Sequence, residues 1–354
     1  MKCIYCQSDS KYSERSDGNC PSCKKRFAFE PKTGSTFTDM QFKNAIDAVS
    51  SMGTVRFLPE HVRYELARRK RSPKSSIGTI TCLVLAGIAA LIAIFVPIPF
   101  VIFVVILLVI ARAVWPGKYL PFDSFSADWT KWCQVHGTPK GLILKKAEKA
   151  PAEPYRGAED IQHYSFDRAV ICDRPETVDL LLANNFHFEN NCAVLSIDGY
   201  PGRAFDRVKG MLQNNPKLTV YVLHDATWDG CRLASKIASS PQWFLGRARV
   251  VEVGIRPVHA KAFRGVWSQS SAEGDTSGIT AREAAWLQAS SLELFAVRPE
   301  QVIKRLFKAI TTNTDELSQA SAFVSVSGGG DFWVDAGSFS SDASASDGGD
   351  DSFG

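Results

Sequence analysis

From Ile77 to Ala111 the chain carries no charged residue, and only Pro97-Ile98-Pro99 breaks its apolar character. A bilayer core about 30 Å thick is crossed by roughly 20 apolar residues in a helix, and Ile77 to Val96 meets that length. Two prolines around one residue cannot continue a helix and favour a sharp turn. Phe100 to Ala111 then returns as a shorter second arm. Arg68, Arg69, Lys70, Arg71 and Lys74 precede the run, and Arg112 and Lys118 follow it. Basic flanks stay on the cytoplasmic side, and Trp115 and Tyr119 suit the interfacial belt. The expectation is a two-helix transmembrane hairpin over residues 77–115 in the cell inner membrane. Both termini and the main domain would then be cytoplasmic. A re-entrant wedge is the alternative, because the second arm is short.

The first residues carry a second constraint. Cys3-Ile-Tyr-Cys6 and Cys20-Pro-Ser-Cys23 are two CxxC pairs separated by a polar stretch with a glycine. Each pair lets two thiolates converge on one ion, and two pairs complete the closed tetrahedral sulfur shell of a structural zinc. Lys24, Lys25 and Arg26 follow directly and would offset the double negative charge of a zinc–tetrathiolate centre. A redox CxxC would open a helix after a strand, a context absent at both pairs. Residues 1–35 are therefore expected to form a small four-cysteine zinc ribbon with Cys3, Cys6, Cys20 and Cys23 as ligands. The other five cysteines are scattered in apolar surroundings, as in a chain of the reducing cytoplasm and unlike a disulfide framework. No signal peptide is expected ahead of Cys3.

Residues 36–76 read as a helical basic connector and residues 116–165 as an irregular linker, in which Trp129 and Trp132 stand one helical turn apart as packing residues. From Ala169 short apolar runs alternate with amphipathic stretches: Ala169–Cys172, Cys192–Ile197, Leu218–Leu223 and Arg249–Val253 as strands, with helices over Pro175–Asn184, Gly202–Gln213 and Gly230–Ser239. Such repetition gives a parallel sheet covered by helices, placed at residues 166–312. Ligands of such sheets bind at the carboxyl ends of the strands. Asp173, Asp198 and Asp225 each follow a strand, with Asp229 close behind. Carboxylates gathered on one edge repel unless a cation joins them. Mg²⁺ takes oxygen ligands and needs only one or two carboxylates, so Asp173, Asp225 and Asp229 are candidate magnesium ligands and catalytic residues. The competing reading is that Asp173 and Asp229 cap helices. Arg203, Arg207 and Arg256 are candidate contacts to nucleic acid or phosphate, or solvated surface.

Four segments in order resemble the Toprim domain, and most closely that of the topoisomerase VI A subunit and its meiotic double-strand-break relatives. They are Gly199-Tyr200-Pro201, the strand end Val222-Leu223-His224-Asp225-Ala226-Thr227-Trp228-Asp229-Gly230, the segment Val251–Pro257, and the helix region Ser291–Phe307. The resemblance spans about 169–310. It implies a metal-binding α/β fold, with Asp173 in place of the family's glutamate and Asp225 as the first aspartate of its DxD. Thr227 replaces the second aspartate, and a domain carrying the family's nucleophilic tyrosine is not recognised. Strand transfer of the topoisomerase type is thus not implied. What is implied is a Mg²⁺-dependent nuclease or phosphoryl-transfer enzyme acting on nucleic acid. The alternative is a catalytically degenerate scaffold that tethers nucleic acid or a protein partner to the membrane.

Charge distribution fits either reading. Six Asp and no Lys, Arg or Glu lie from Ser325 onward, so the net charge of +4 becomes +10 without that segment. A basic body suits an anionic partner, whether DNA, another nucleic acid or a lipid surface. Residues 313–354 are rich in Ser, Gly and Asp and too poor in apolar residues for a core, and are expected to be a disordered tail. The tail and the zinc ribbon are both candidate protein-contact elements.

Overall fold

The computed structural model describes residues 1–71, 122–144, 167–312 and 323–325, apart from single positions at 16, 216, 245 and 264. The expected hairpin at 77–115 lies outside the described residues. Among the described residues no helix is long and apolar enough to cross a membrane.

The amino-terminal region begins with two short hairpins, closed by bridges between Lys2 and Asp9 and between Asn19 and Arg26. Two helices follow. α1 (Asp39–Val49) opens with a capping box, in which Thr38 accepts from the Gln41 amide and the Gln41 side chain bonds back to Thr38. This arrangement satisfies two of the helix's orphan donors. α2 spans Pro59–Arg71. Residues 122–136, expected within an irregular linker, instead form α3 (Phe122–His136). Its Trp132 packs against Phe29 and Phe42 in a core that includes Phe37, Ile46, Phe57 and Leu66, with Trp129 at its margin. The Phe42 and Trp132 rings lie 4.9 Å apart and nearly stacked. Aromatic residues bury much area per residue, which lets so short a region hold a core.

The carboxyl-terminal part is a doubly wound α/β unit. Its elements are β1 (Arg168–Cys172), α4 (Pro175–Ala183), β2 (Ala193–Ser196), α5 (Gly202–Gln213), β3 (Thr219–Leu223), α6 (Trp228–Ser239), β4 (Arg249–Glu252), α7 (Ala281–Ala289) and α8 (Pro299–Thr312). The strands pair in parallel in the order β2-β1-β3-β4, with a further short strand, β5 (Phe323–Ser325), beside β4. The sequence reading placed 323–325 inside a disordered tail. The correction has a simple cause: β4 leaves one edge open, and Phe-Val-Ser suits a pleated edge.

Alternation along the strands divides two cores. Val170, Cys172, Val194, Tyr221 and Val251 face the layer with α4 and α8. Ala169, Ile171, Leu195, Val220 and Val250 face the layer with α5 and α6. Both faces are covered, so the strands read as nearly continuous apolar runs, as parallel sheets require. The chain leaves β1 toward β2 and then re-enters the sheet on the other side of β1 as β3. The switch point therefore lies between the carboxyl ends of β1 and β3, where open α/β sheets form their ligand crevice.

α2 ties the amino-terminal region to this edge. Glu65 is 2% exposed and accepts from Arg298 at 2.9 Å and from Arg69 at 3.0 Å. Arg68 donates to the Ala296 carbonyl, and the His61 ring meets Phe295 edge-on at 5.1 Å. At the other end of α1, Ser51 donates to Glu300.

Candidate metal centre and carboxylate edge

The two amino-terminal hairpins are built alike. Gln7 and Lys24, each one residue past its CxxC pair, both take a left-handed conformation with φ of 61°. Their amides reach back to the Cys3 and Cys20 carbonyls at 3.0 and 2.9 Å. The amides of Cys3 and Cys20 in turn bond forward to Ser8 and Lys25. The result is two equivalent knuckles that turn their thiols toward each other. All four Sγ atoms lie within 4.8 Å of one another, and Cys3–Cys23 and Cys6–Cys20 are each 3.6 Å apart. A tetrahedron with Zn–S bonds of about 2.3 Å has edges of about 3.8 Å, so donor set and spacing both fit one metal ion such as zinc. The Cys23 amide and Ser8 hydroxyl draw the Cys20 thiol down to about 6. At Cys23 the Lys25 amide is outweighed by burial and the three neighbouring thiols, which push it up to about 11, as expected of four crowded thiols whose ionised forms repel one another unless they share a cation.

The ribbon is wired to the helices behind it. Tyr5, inside the first knuckle, has its hydroxyl 3.1 Å from His136 Nδ1. His136 Nε2 lies 2.7 Å from Asp39 Oδ2. Asp39 is fully buried and also accepts the Ala28 and Phe29 amides just past the second knuckle. No sequence motif links residues 5, 39 and 136, and only the packing of α3 on α1 brings them together.

At the sheet edge, Asp173 follows β1 and Asp225 follows β3. Asp173 does not cap α4. Its Oδ2 accepts the Asp225 amide at 2.7 Å, while its Oδ1 is buried without a hydrogen-bond partner among the described residues. Asp225 is 1% exposed. Its Oδ1 accepts the Leu294 amide at 2.6 Å, and its Oδ2 lies 2.7 Å from Arg174 Nε. That last contact is a close ion pair without hydrogen-bond alignment. Burial raises the pKa of both carboxyls, and for Asp225 the charge of Asp173 adds to it against Arg174. Arg174 also reaches Glu293 Oε1 at 3.3 Å. Glu293 Oε2 takes the Tyr64 hydroxyl at 3.0 Å and Arg63 at 3.2 Å, both from α2. Arg174, Glu293 and Leu294 thus complete a cluster of which the sequence reading named only Asp173 and Asp225.

Two further expectations change. Thr227, not Asp229, caps α6, accepting the Gly230 amide at 3.1 Å. Asp229 is exposed in the first turn of that helix. Asp173, Asp198 and Asp229 line one cavity of about 640 Å³, together with Arg232, Lys236 and Ser277. Asp225 is not part of its wall. Among the described residues, the four cysteines are the one group in which three or more ligand atoms come that close. Asp173, Asp225 and Asp229 were expected to converge on one Mg²⁺. Asp173 Oδ2 and Asp225 Oδ1 each accept a backbone amide and Arg174 sits against Asp225 Oδ2, while Asp173 Oδ1 has no hydrogen-bond partner among the described residues and Asp229 is exposed.

Beside this cluster lies a second buried network. His224 is fully buried, with Nδ1 2.8 Å from the Asp225 carbonyl and Nε2 2.9 Å from Glu252 Oε1. Burial alone would lower its pKa, but Glu252 and the Asp225 carbonyl outweigh it and raise it. Arg256 donates to Glu252 at 3.0 Å, pairs with Glu283 at 3.4 Å and reaches the Gly278 carbonyl at 3.2 Å. Its guanidinium is committed within the protein and is not held out for a phosphate. The side chains of Arg203 and Arg207 lie outside the described residues. Gly254 is required by close approach: a Cβ there would stand 2.4 Å from the His224 ring.

No protein-family model, curated protein or solved structure matches this chain.

Proposed function

We propose that the chain is a membrane-anchored cytoplasmic scaffold, in which a zinc ribbon and a catalytically degenerate Toprim-like domain hold nucleic acid or a protein partner at the membrane face. The observation that carries this reading is Arg174. A divalent cation at a Toprim edge neutralises carboxylates that would otherwise repel, and a guanidinium 2.7 Å from Asp225 and 3.3 Å from Glu293 performs that task here. The replacement of the second DxD aspartate by Thr227, which caps α6, points the same way. So does the Leu294 amide, which occupies the remaining Asp225 oxygen.

The zinc is structural in this reading. Four protein sulfurs close its shell and leave no position for substrate. The chain's own residues then do three things. Cys3, Cys6, Cys20 and Cys23 fix the ribbon. Asp39 and His136 fix the ribbon to the helices. Glu65 and Glu293 fix α2 to the sheet edge.

A Mg²⁺-dependent nuclease is the second reading, favoured by the unpartnered Asp173 Oδ1 and by the carboxylate-lined cavity beside it. Incubating the purified full chain with labelled single- and double-stranded DNA and RNA, with Mg²⁺ or Mn²⁺, separates the two. The scaffold reading expects binding without cleavage. Metal-dependent cleavage that disappears in Asp173→Asn would overturn it.

A further inference from the structure

We infer that the outer face of the zinc ribbon is a binding site for single-stranded nucleic acid, with Tyr5 as the stacking platform and Lys24, Lys25 and Arg26 as its phosphate contacts. This rests on the scaffold reading and specifies the partner and the surface that meets it.

Tyr5 is half exposed, at 50%, and is the one aromatic residue of the first hairpin, which its Lys2–Asp9 bridge closes. Its orientation is nevertheless fixed. The hydroxyl is held at 3.1 Å by His136, which is held at 2.7 Å by Asp39, which is anchored by two backbone amides. His136 also packs on Trp132 with ring centroids 4.3 Å apart. An exposed ring whose polar end is tied to a buried carboxylate is preorganised, and binding to it carries little ordering cost.

The second knuckle sets the charges beside that ring. Lys25 Nζ lies 5.8 Å from the Tyr5 ring centroid. Lys24, Lys25 and Arg26 are all exposed, and none of them forms an ion pair with the described residues. The arginines at the sheet edge behave oppositely: Arg174 and Arg256 are both committed to carboxylates. A cation over an oriented aromatic ring, with two further exposed cations in the same knuckle, supplies the elements of sequence-tolerant single-strand binding, in which bases stack and the backbone follows the charges. Duplex DNA would bury its bases away from Tyr5, so a single strand is the better fit.

The test is fluorescence anisotropy of a labelled oligothymidylate with the purified full chain, across a salt titration and without divalent cations. Tyr5→Leu should weaken binding about 5- to 150-fold, the equivalent of about 1–3 kcal/mol for one stacked base. Tyr5→Phe keeps the ring and should change it far less. The triple change Lys24→Ala, Lys25→Ala, Arg26→Ala should lower the salt dependence of log K by about 2, at about 0.7 per phosphate contact on a single strand. Metal content of each variant, measured with a colorimetric chelator, confirms that the ribbon is intact. The inference is overturned if the wild type does not bind, or if a metal-loaded Tyr5→Leu binds like the wild type. It is also overturned if an acidic peptide binds more tightly than the oligonucleotide and is equally indifferent to Tyr5. Cleavage of the oligonucleotide on adding Mg²⁺ would instead remove the scaffold reading and leave this surface standing.

Discussion

Replacing Arg174 by alanine tests whether the protein supplies its own cation at the sheet edge. The change leaves Asp225, 1% exposed, facing Asp173 and Glu293 without the guanidinium at 2.7 Å. Removing one partner of a fully buried ion pair costs about 3–5 kcal/mol. The Arg174 side chain is 35% exposed, so water already screens part of the interaction, and about 2–3 kcal/mol is the expected loss. Protonation of Asp225 limits it further, since burial already raises the Asp225 pKa. The informative measurement is urea unfolding of both proteins with and without Mg²⁺. In the wild type, Mg²⁺ should add nothing. In Arg174→Ala the vacated position is lined by carboxylates, and Mg²⁺ at about 100 times its Kd should restore about 2.7 kcal/mol. If the wild type gains as much from Mg²⁺ as the variant, Arg174 does not stand in for a cation and the reasoning fails.

Three other changes probe the remaining parts. Cys20→Ser, or chelation of the metal, should unfold the ribbon, because structural zinc contributes on the order of 10 kcal/mol in small ribbons; amide exchange confined to residues 1–35 and the end of α3 would record it, and an unchanged exchange pattern would contradict it. Glu65→Ala should cost about 3–5 kcal/mol in chemical denaturation, since it strands Arg298 and Arg69. Burial alone would raise the Glu65 pKa, but Arg298 with Arg68 and Arg69 holds it below its ordinary value. Its stabilisation is therefore complete above the ordinary glutamate range and is lost as the pH falls through the lower folded value; a wild-type pH–stability curve that keeps this increment in acid, against Glu65→Ala, would refute the assignment. Gly254→Ala should cost about 1–3 kcal/mol through overpacking against His224, and full thermal stability of that variant would mean the loop yields more easily than its contacts imply.

The strands of the α/β unit were legible because both faces of each are covered, so Ala169–Cys172 and Leu218–Leu223 stand out as short apolar runs between turn residues. The ribbon was legible because metal ligation fixes spacing within a few residues. α3 was missed because its core-facing residues, Phe125, Trp129 and Trp132, were read among Pro, Gly and Lys rather than as one helical stripe. Arg174 and Glu293 were missed for a different reason. Arg174 pairs with Asp225 and with Glu293, which is 119 residues away from it, and charges paired across such distances leave no local period. Asp229 stands two residues past a motif position, and the direction of its side chain is not legible in one dimension; the start of α6 leaves it exposed, on the wall of the cavity that Asp173 also lines.

Glu293 binds Arg174 on one side and Tyr64 and Arg63 on the other. The sheet edge and α2 are therefore in mechanical series. Tension drawn along α2 from its last residue, Arg71, would be borne first by the Glu65–Arg298 clamp and the Arg68–Ala296 contact, and next by Glu293. Displacing Glu293 would remove one of the two acceptors that hold the Arg174 guanidinium over Asp225. The segment that continues from Arg71 thus has a short line of force to the carboxylates, and the stiffness of α2 decides how much load reaches them.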